Sequence, residues 1–275
     1  MTTPVLITGC SSGIGHAIAR AALKAGLPTY ATARKPETIA DLAEAGARVL
    51  ALDVTDETSR QQAIAQVEAE HGAVGALINN AGYAQAGPVE EVPLDAVRAQ
   101  FETNVFGLVR LCQLALPGMR ARGSGTIVNL GSAGGLMAFP GSSAYDMTKW
   151  SLEALSDALR AEVRRFGVRV VLLEPGGVPT NFATVQANTW PDSSNGPYAA
   201  FARNHHERMA RYANEGAPGM STPDKVAAIT LKAVQAKNPR ARYKIGMPPR
   251  VMPLLYRTLP NRTWDALVAR LFPMA

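Results

Sequence analysis

The sequence of 275 residues predicts an α/β fold, a parallel sheet doubly wound with helices on both faces. Three observations predict it. Short apolar runs alternate with segments of helical period through the first two-thirds of the chain. The runs are apolar throughout rather than every second residue, as in strands covered on both faces. A Gly-rich turn joins the first run to the first helical segment.

The elements follow in order. Val5-Leu6-Ile7-Thr8 is a buried strand. Ile14 to Ala25 is a helix with Ile18, Ala22 and Ala25 on one face, stopped by Gly26. Thr29 to Ala33 is the second strand, Asp41 to Ala45 a short helix, and Val49 to Leu52 the third strand. Thr58 to Glu70 is helical and Ala76 to Ile78 is the fourth strand. Leu94 to Met119 reads as one long helix, Thr126 to Leu130 as a strand, Ser143 to Phe166 as a long helix, and Val168 to Leu173 as a strand. Thr180 to Thr222 is rich in Asn, Pro, Gly and Ser and reads as a loop long enough to be a lid. Pro223 to Ala236 is a helix, and the extension from Pro248 is irregular, then helical. No linker or repeat divides residues 1–275, so one domain is expected.

Hydrophobic residues make up 47% and charged residues 18%, enough apolar material for a large core. The formal charge is +6, but Lys and Arg are dispersed without long like-charged runs, which speaks against nucleic acid as partner. Cys10 and Cys112 are too few for a disulfide framework and fit no zinc spacing, so no metal is expected. With no signal-peptide pattern and no run of apolar residues long enough to span a bilayer, a cytoplasmic protein is expected.

Thr8-Gly9-Cys10-Ser11-Ser12-Gly13-Ile14-Gly15 lies between a strand and a helix, where backbone can approach a pyrophosphate at a positive helix end. Its spacing, G-x-x-x-G-x-G, differs from the general dinucleotide fingerprint G-x-G-x-x-G. The second strand ends in Ala33-Arg34-Lys35, with no acid for a ribose hydroxyl and two bases for a 2′-phosphate, which points to NADP(H). NAD is the runner-up. In Leu52-Asp53-Val54-Thr55, Asp53 can accept from an adenine amino group or act as a turn residue. Asn79-Asn80-Ala81-Gly82 lets the chain pass beneath a cofactor, or is an ordinary turn.

Tyr145 and Lys149 lie one helical turn apart on one face. A neighbouring ammonium and a positive nicotinamide would lower the phenol's pKa towards useful acid–base chemistry. Ser132 lies near the end of the preceding strand, where it could hydrogen-bond a substrate oxygen.

Together these motifs resemble the short-chain dehydrogenase/reductase family, over about residues 4 to 182. The Gly-rich turn, Asn79-Asn80-Ala81-Gly82, Asn104, Ser132, Tyr145 with Lys149, and Pro175-Gly176 with Thr180 carry the likeness. The resemblance implies a Rossmann-type fold. It also implies Tyr145 as general acid/base, Ser132 orienting the carbonyl, Lys149 on the ribose, and Asn104 in a proton relay. Pro175, Gly176, Val178 and Thr180 would border the nicotinamide. Asn129 to Met137 and Ala31 to Arg34 look most like the hydroxysteroid and retinol dehydrogenase branch. Asp146 departs from that pattern, and helix geometry turns it away from the Tyr face, so little effect on chemistry is expected.

Phe182, Trp190, Tyr198, Phe201, Met209, Tyr212 and Met220 in the lid, with Leu136, Met137 and Phe139, suit a hydrophobic ketone, aldehyde or alcohol. They could equally be core or an oligomer contact. His205 and His206 read as surface polar residues. Trp264, Leu267, Val268, Leu271 and Phe272 form a stripe that could dock on the body, a second subunit or a membrane surface. The family resemblance implies a homodimer or homotetramer through the helix from Ser143. An NADP(H)-sensing protein without turnover is the rival class, and intact Tyr145, Lys149, Ser132 and Asn104 argue against it.

Overall fold

The computed structural model describes residues 3–192, 195–215 and 219–273. The elements are β1 (Val5–Ile7), α1 (Gly13–Lys24), β2 (Thr29–Ala33), α2 (Ala40–Glu44), β3 (Arg48–Ala51), α3 (Glu57–His71), β4 (Ala76–Asn79), α4 (Leu94–Phe101), α5 (Gly107–Arg122), β5 (Gly125–Leu130), α6 (Ser143–Val163), β6 (Val168–Pro175), α7 (Phe182–Asn188), α8 (Ala199–Glu215), α9 (Pro223–Gln235), β7 (Arg242–Ile245), α10 (Pro248–Thr258) and α11 (Asn261–Leu271). The seven strands form one parallel sheet in the order β3-β2-β1-β4-β5-β6-β7. The order reverses between β1 and β4, and the C-terminal ends of those strands open a crevice there.

The apolar runs become strands because both sheet faces are covered. Val5, Ile7, Ala31, Ile78, Val128 and Val171 face a core shared with α1 and α9. Leu6, Tyr30, Leu77, Ile127 and Val170 face the opposite core, shared with α3, α5 and α6. Alternate residues of one strand therefore enter different cores. At roughly 25 cal/mol per Å² of apolar surface, burial on both faces is the main force holding the sheet.

The structure departs from the sequence reading in four places. The long helix from Leu94 is interrupted by a π-turn at Glu102–Phe106, where the Gly107 N–H reaches back to the Glu102 carbonyl. The lid expected as a loop is largely α7 and α8, although Ser193, Ser194 and residues 216–218 lie outside the described residues. The extension is helical from Pro248 onward. Its paired prolines suit the first turn of a helix, where the missing N–H needs no partner. Strand β7 was not foreseen: Arg242-Tyr243-Lys244-Ile245 is half polar, and its pairing with β6 decides it.

The apolar stripe of α11 docks on the body. Trp264 is buried with Met137 and Ala133, and Leu267, Val268 and Phe139 pack around them. Phe139 also stacks on Phe272, with ring centroids 5.3 Å apart. Met137 is thus core beneath the extension, and Leu136 is buried as well.

Candidate active site

The Gly-rich turn leads from β1 into α1. Ser12 occupies the N-cap position but makes no side-chain cap, and no acid stands in the first helical turn. The N-terminal N–H groups and positive dipole end of α1 therefore face the crevice with no side-chain cap and no acid of their own first turn. Gly13 has φ +60°, and a Cβ there would lie 3.0 Å from the Thr180 methyl, so Thr180 crosses directly over the turn. At Gly15 a Cβ would come within 2.2 Å of the Gly9 carbonyl oxygen. This close approach of backbone, with open donors, fits a dinucleotide pyrophosphate.

Asn80 braces the turn. Its side-chain amide donates to the carbonyls of Thr8 and Gly9, each at 2.9 Å. The Thr8 hydroxyl accepts from the backbone N–H groups of Asn80 and Ala81 at 3.0 and 2.9 Å. The Asn80 side chain thus holds the cradle, leaving the backbone of Asn80, Ala81 and Gly82 along the crevice. Arg34 and Lys35 stand exposed where β2 ends. Asp53 accepts from the Thr55 N–H and hydroxyl at 2.9 and 2.7 Å, a turn built on its own side chain. Burial would raise its pKa, but the Thr55 bonds and the nearby Arg34 and Arg60 charges leave it lowered. Val54 is buried against α5. Pro175 ends β6, Gly176 donates to the Ile245 carbonyl at 2.9 Å, and Val178 packs against the core.

The second cluster lies across the crevice. Ser132 caps the short turn Ala133–Gly135 by accepting from the Gly134 N–H at 3.1 Å. Tyr145 lies near the start of α6, with the Lys149 ammonium 5.5 Å from its ring centroid. Phe182 of α7 meets the Tyr145 ring edge-on at 5.5 Å, which brings the lid onto the phenol. Lys149 is buried and donates to the Leu130 carbonyl at 2.6 Å; burial pushes its pKa down to about 8. The expected lowering of the phenol does not arise from the protein alone. Burial drives the Tyr145 pKa well above its ordinary value, outweighing the Ser132 hydroxyl that favours the phenolate.

Asn104 sits in the π-turn, fully buried. Its amide donates to the Tyr83 carbonyl at 2.9 Å and the Thr148 hydroxyl at 3.2 Å, and its oxygen accepts from the Tyr83 N–H at 3.2 Å. Thr148 in turn donates to the Tyr145 carbonyl at 2.7 Å. A continuous path therefore joins the β4 exit to the first turn of α6. π-turns recur at functional positions because they re-aim single residues in this way.

The chain matches the family model for short chain dehydrogenase over residues 3–190. The chain belongs to the short-chain dehydrogenase family. Members are oxidoreductases that use a nicotinamide cofactor. A 3-ketodihydrosphingosine reductase of Bacteroides thetaiotaomicron is 35% identical, with 88% of this chain and 87% of the relative covered. Human 17-beta-hydroxysteroid dehydrogenase type 1 is 36% identical over 88% of this chain and 76% of that protein. The crystal structure of a short-chain dehydrogenase from Streptomyces avermitilis superposes with a TM-score of 0.79 at 36% identity, covering 98% and 96% of the two chains.

Two features of this dehydrogenase site escaped the sequence. Asp146, read only as turned away from the Tyr face, is buried. Its carboxylate accepts from the Phe139 N–H at 2.8 Å and so ties α6 to the loop after Ser132. Burial pushes its pKa up to about 7 against that hydrogen bond, and its charge adds to the rise at Tyr145. Gln85, Gln100 and Thr189 are the second. Gln100 accepts from the Gln85 N–H and donates to the Tyr83 carbonyl. Thr189 donates to the Ala84 carbonyl at 3.0 Å and accepts from the Ala86 N–H at 2.9 Å, fastening the lid to the β4 exit. Polar residues scattered through a helix and a lid carry no local signal of such pairing.

The lid aromatics divide. Trp190 and Phe201 are buried against each other, Met209 is buried, and Tyr198 donates to Glu90 at 2.8 Å. His205 is also buried, its ring 4.5 Å from that of Trp190, contrary to the surface reading; burial pushes its pKa down to about 3.

Proposed function

We propose that the protein reduces an apolar ketone or aldehyde with NADPH, or oxidises the matching alcohol with NADP+. One observation carries this reading: a phenol, Tyr145, is flanked by the Ser132 hydroxyl and the Lys149 ammonium opposite an uncapped, Gly-rich helix start. When bound, the nicotinamide supplies or accepts the hydride. The Ser132 hydroxyl holds the substrate oxygen, and Tyr145 donates its proton to that oxygen in reduction. A buried phenol stays protonated at neutral pH, which suits a donor. The Lys149 charge stabilises the phenolate left behind, and Asn104 fixes the first turn of α6 through Thr148.

Gly9, Ser11, Ser12, Gly13, Ile14 and Gly15 would hold the pyrophosphate. Arg34 and Lys35, with no carboxylate closing β2, would grip a 2′-phosphate. Asp53 and Val54 would border the adenine, and Pro175, Gly176, Val178 and Thr180 the nicotinamide. Phe182 over Tyr145 supports an apolar substrate, as do a lipid-ketone reductase and a steroid dehydrogenase among the relatives. Exposed Phe106, at the end of the π-turn before α5, with Met147 and Trp150 on α6, supports self-association through that face, as a dimer or tetramer.

The test is oxidation of NADPH and of NADH against apolar aldehydes, ketones, steroids and retinoids. Turnover favouring NADPH is expected. Tyr145→Phe should lose turnover by at least about 100-fold while still binding NADPH. Arg34→Asp should reverse the cofactor preference; an unchanged preference removes Arg34 from the assignment.

A further inference from the structure

The stripe on α11 is covered except at its end, where Leu271 is 48% exposed, but one on α10 is open along its length. Met247, Val251 and Leu254 are 62%, 43% and 63% exposed, and their spacing sets them along one side of the helix. Pro249 and Pro253 are buried on the opposite side. Arg250 and Arg257 stand exposed along the flank of the stripe.

Beside α10 lies the free edge of β7. A groove of about 550 Å³ there is lined by Ile229, Arg240, Arg242, Tyr243, Lys244 and Arg250. Arg242 is already paired with Glu153, Asp157 and Glu174. Arg240, Lys244 and Arg250 have no carboxylate partner among the described residues. Arg250 donates to the Lys244 carbonyl at 3.2 Å, so groove and stripe form one continuous surface. From Arg240 to Pro273 the chain carries seven basic residues and one acid, Asp265.

We propose that this face docks on an anionic membrane surface. The α10 stripe enters the boundary between headgroups and acyl chains, and the β7 groove receives lipid phosphates. Charge decides the occupant. A second copy placed symmetrically on this face would bring like charges together, whereas an anionic bilayer neutralises them and covers the apolar side chains. Among the described residues no helix is long and apolar enough to cross a membrane, so the association is with the surface. The buried side of α10, opposite the stripe, adjoins the candidate active site. A Cβ on Gly176 would lie 3.0 Å from Pro249, which places the start of α10 against the chain leaving β6.

The experiment is flotation of the purified protein with vesicles of phosphatidylcholine alone, or mixed with about one-third phosphatidylglycerol. Wild type should float with the mixed vesicles, and at least about tenfold less with phosphatidylcholine alone or in about 0.5 M salt. Val251→Glu/Leu254→Glu and, separately, Lys244→Glu/Arg250→Glu should each lower binding about tenfold while NADPH binding reports that they are folded. If a variant fails to fold, the lipid and salt dependence of wild type still decides. Absence of flotation with the mixed vesicles overturns the proposal, as does binding indifferent to lipid charge or to both folded variants. Loss of oligomer mass in Val251→Glu/Leu254→Glu, with no vesicle binding by wild type, would assign the face to contact between copies instead.

Discussion

At the scale of single residues, burial decides the chemistry of several groups. Cys10 and Cys112 are buried free thiols whose pKa values burial pushes up to about 12. Neither should react with a thiol reagent in the native protein, and both should react once it is unfolded. A fast-reacting native thiol would contradict that burial. Asp146 gives a sharper test. Its folded pKa, pushed up to about 7, lies above the ordinary carboxyl value near ~4, so the folded state holds the proton more tightly. The stability arising from that proton is present below pH ~4 and lost as pH rises towards about 7. Asp146→Asn keeps an acceptor for the Phe139 N–H and removes the charge. Its melting temperature relative to wild type should therefore rise between pH 5 and pH 8, by the equivalent of about 2 kcal/mol. In carbonyl reduction the alkaline limb of its pH profile should move to lower pH, because the Asp146 charge helps hold the Tyr145 phenol up. Unshifted melting and pH profiles would remove both roles. Tyr145, Lys149 and Ser132 were legible as residues because each is a reactive type at a fixed spacing. The burial of Asp146 was not legible because helical periodicity says which face a side chain takes, not that the loop after Ser132 folds onto that face.

At the scale of elements, the β1–α1 turn depends on close approach. Gly15→Ala would drive a methyl group into the Gly9 carbonyl and the Asn80 amide, contacts of 2.2 and 2.4 Å that backbone cannot easily relieve. A loss of more than about 2 kcal/mol in stability and a cofactor affinity weakened at least about tenfold are expected, by denaturant titration and by NADPH binding. Near-wild-type binding would mean that α1 can shift without disturbing the cradle. The glycines were readable because such a turn admits few other residues. The lid and the extension were less so. Asn, Pro and Ser mark helix starts as well as loops, and α7, α8 and α10 obtain much of their support from distant partners. Thr189 on the β4 exit and Phe182 on Tyr145 join residues more than thirty positions apart.

For the whole molecule, the edge strand β7 is fixed by an internal ion cluster. Arg242 bridges Glu153 of α6, Asp157 one turn later, and Glu174 of β6. Burial, with the neighbouring Glu174 and Asp157 charges, pushes the Glu153 carboxyl up to about 7 despite Arg242. Arg242→Met would leave these carboxylates facing one another. We expect about 3–5 kcal/mol of destabilisation near pH 8. The deficit should shrink towards pH 5, because a carboxyl with a raised folded pKa regains its proton as pH falls. A deficit equal at both pH values would show that the cluster does not couple β7 to α6. Self-association is tested on another face: Trp150→Asp should lower the mass seen by light scattering, and no change would exclude the α5–α6 face as the contact.

The sequence by itself determined the parallel sheet up to β6, the helices between those strands and the candidate reactive residues of the crevice. Apolar periodicity and glycine-dependent turns are local constraints, readable within a dozen residues. Only the tertiary structure decided the edge strand, the helical lid, the burial of Asp146 and His205, and which apolar stripe is covered. Each depends on a partner far away in the chain, and burial and pairing energies exist only after the chain has brought those partners together.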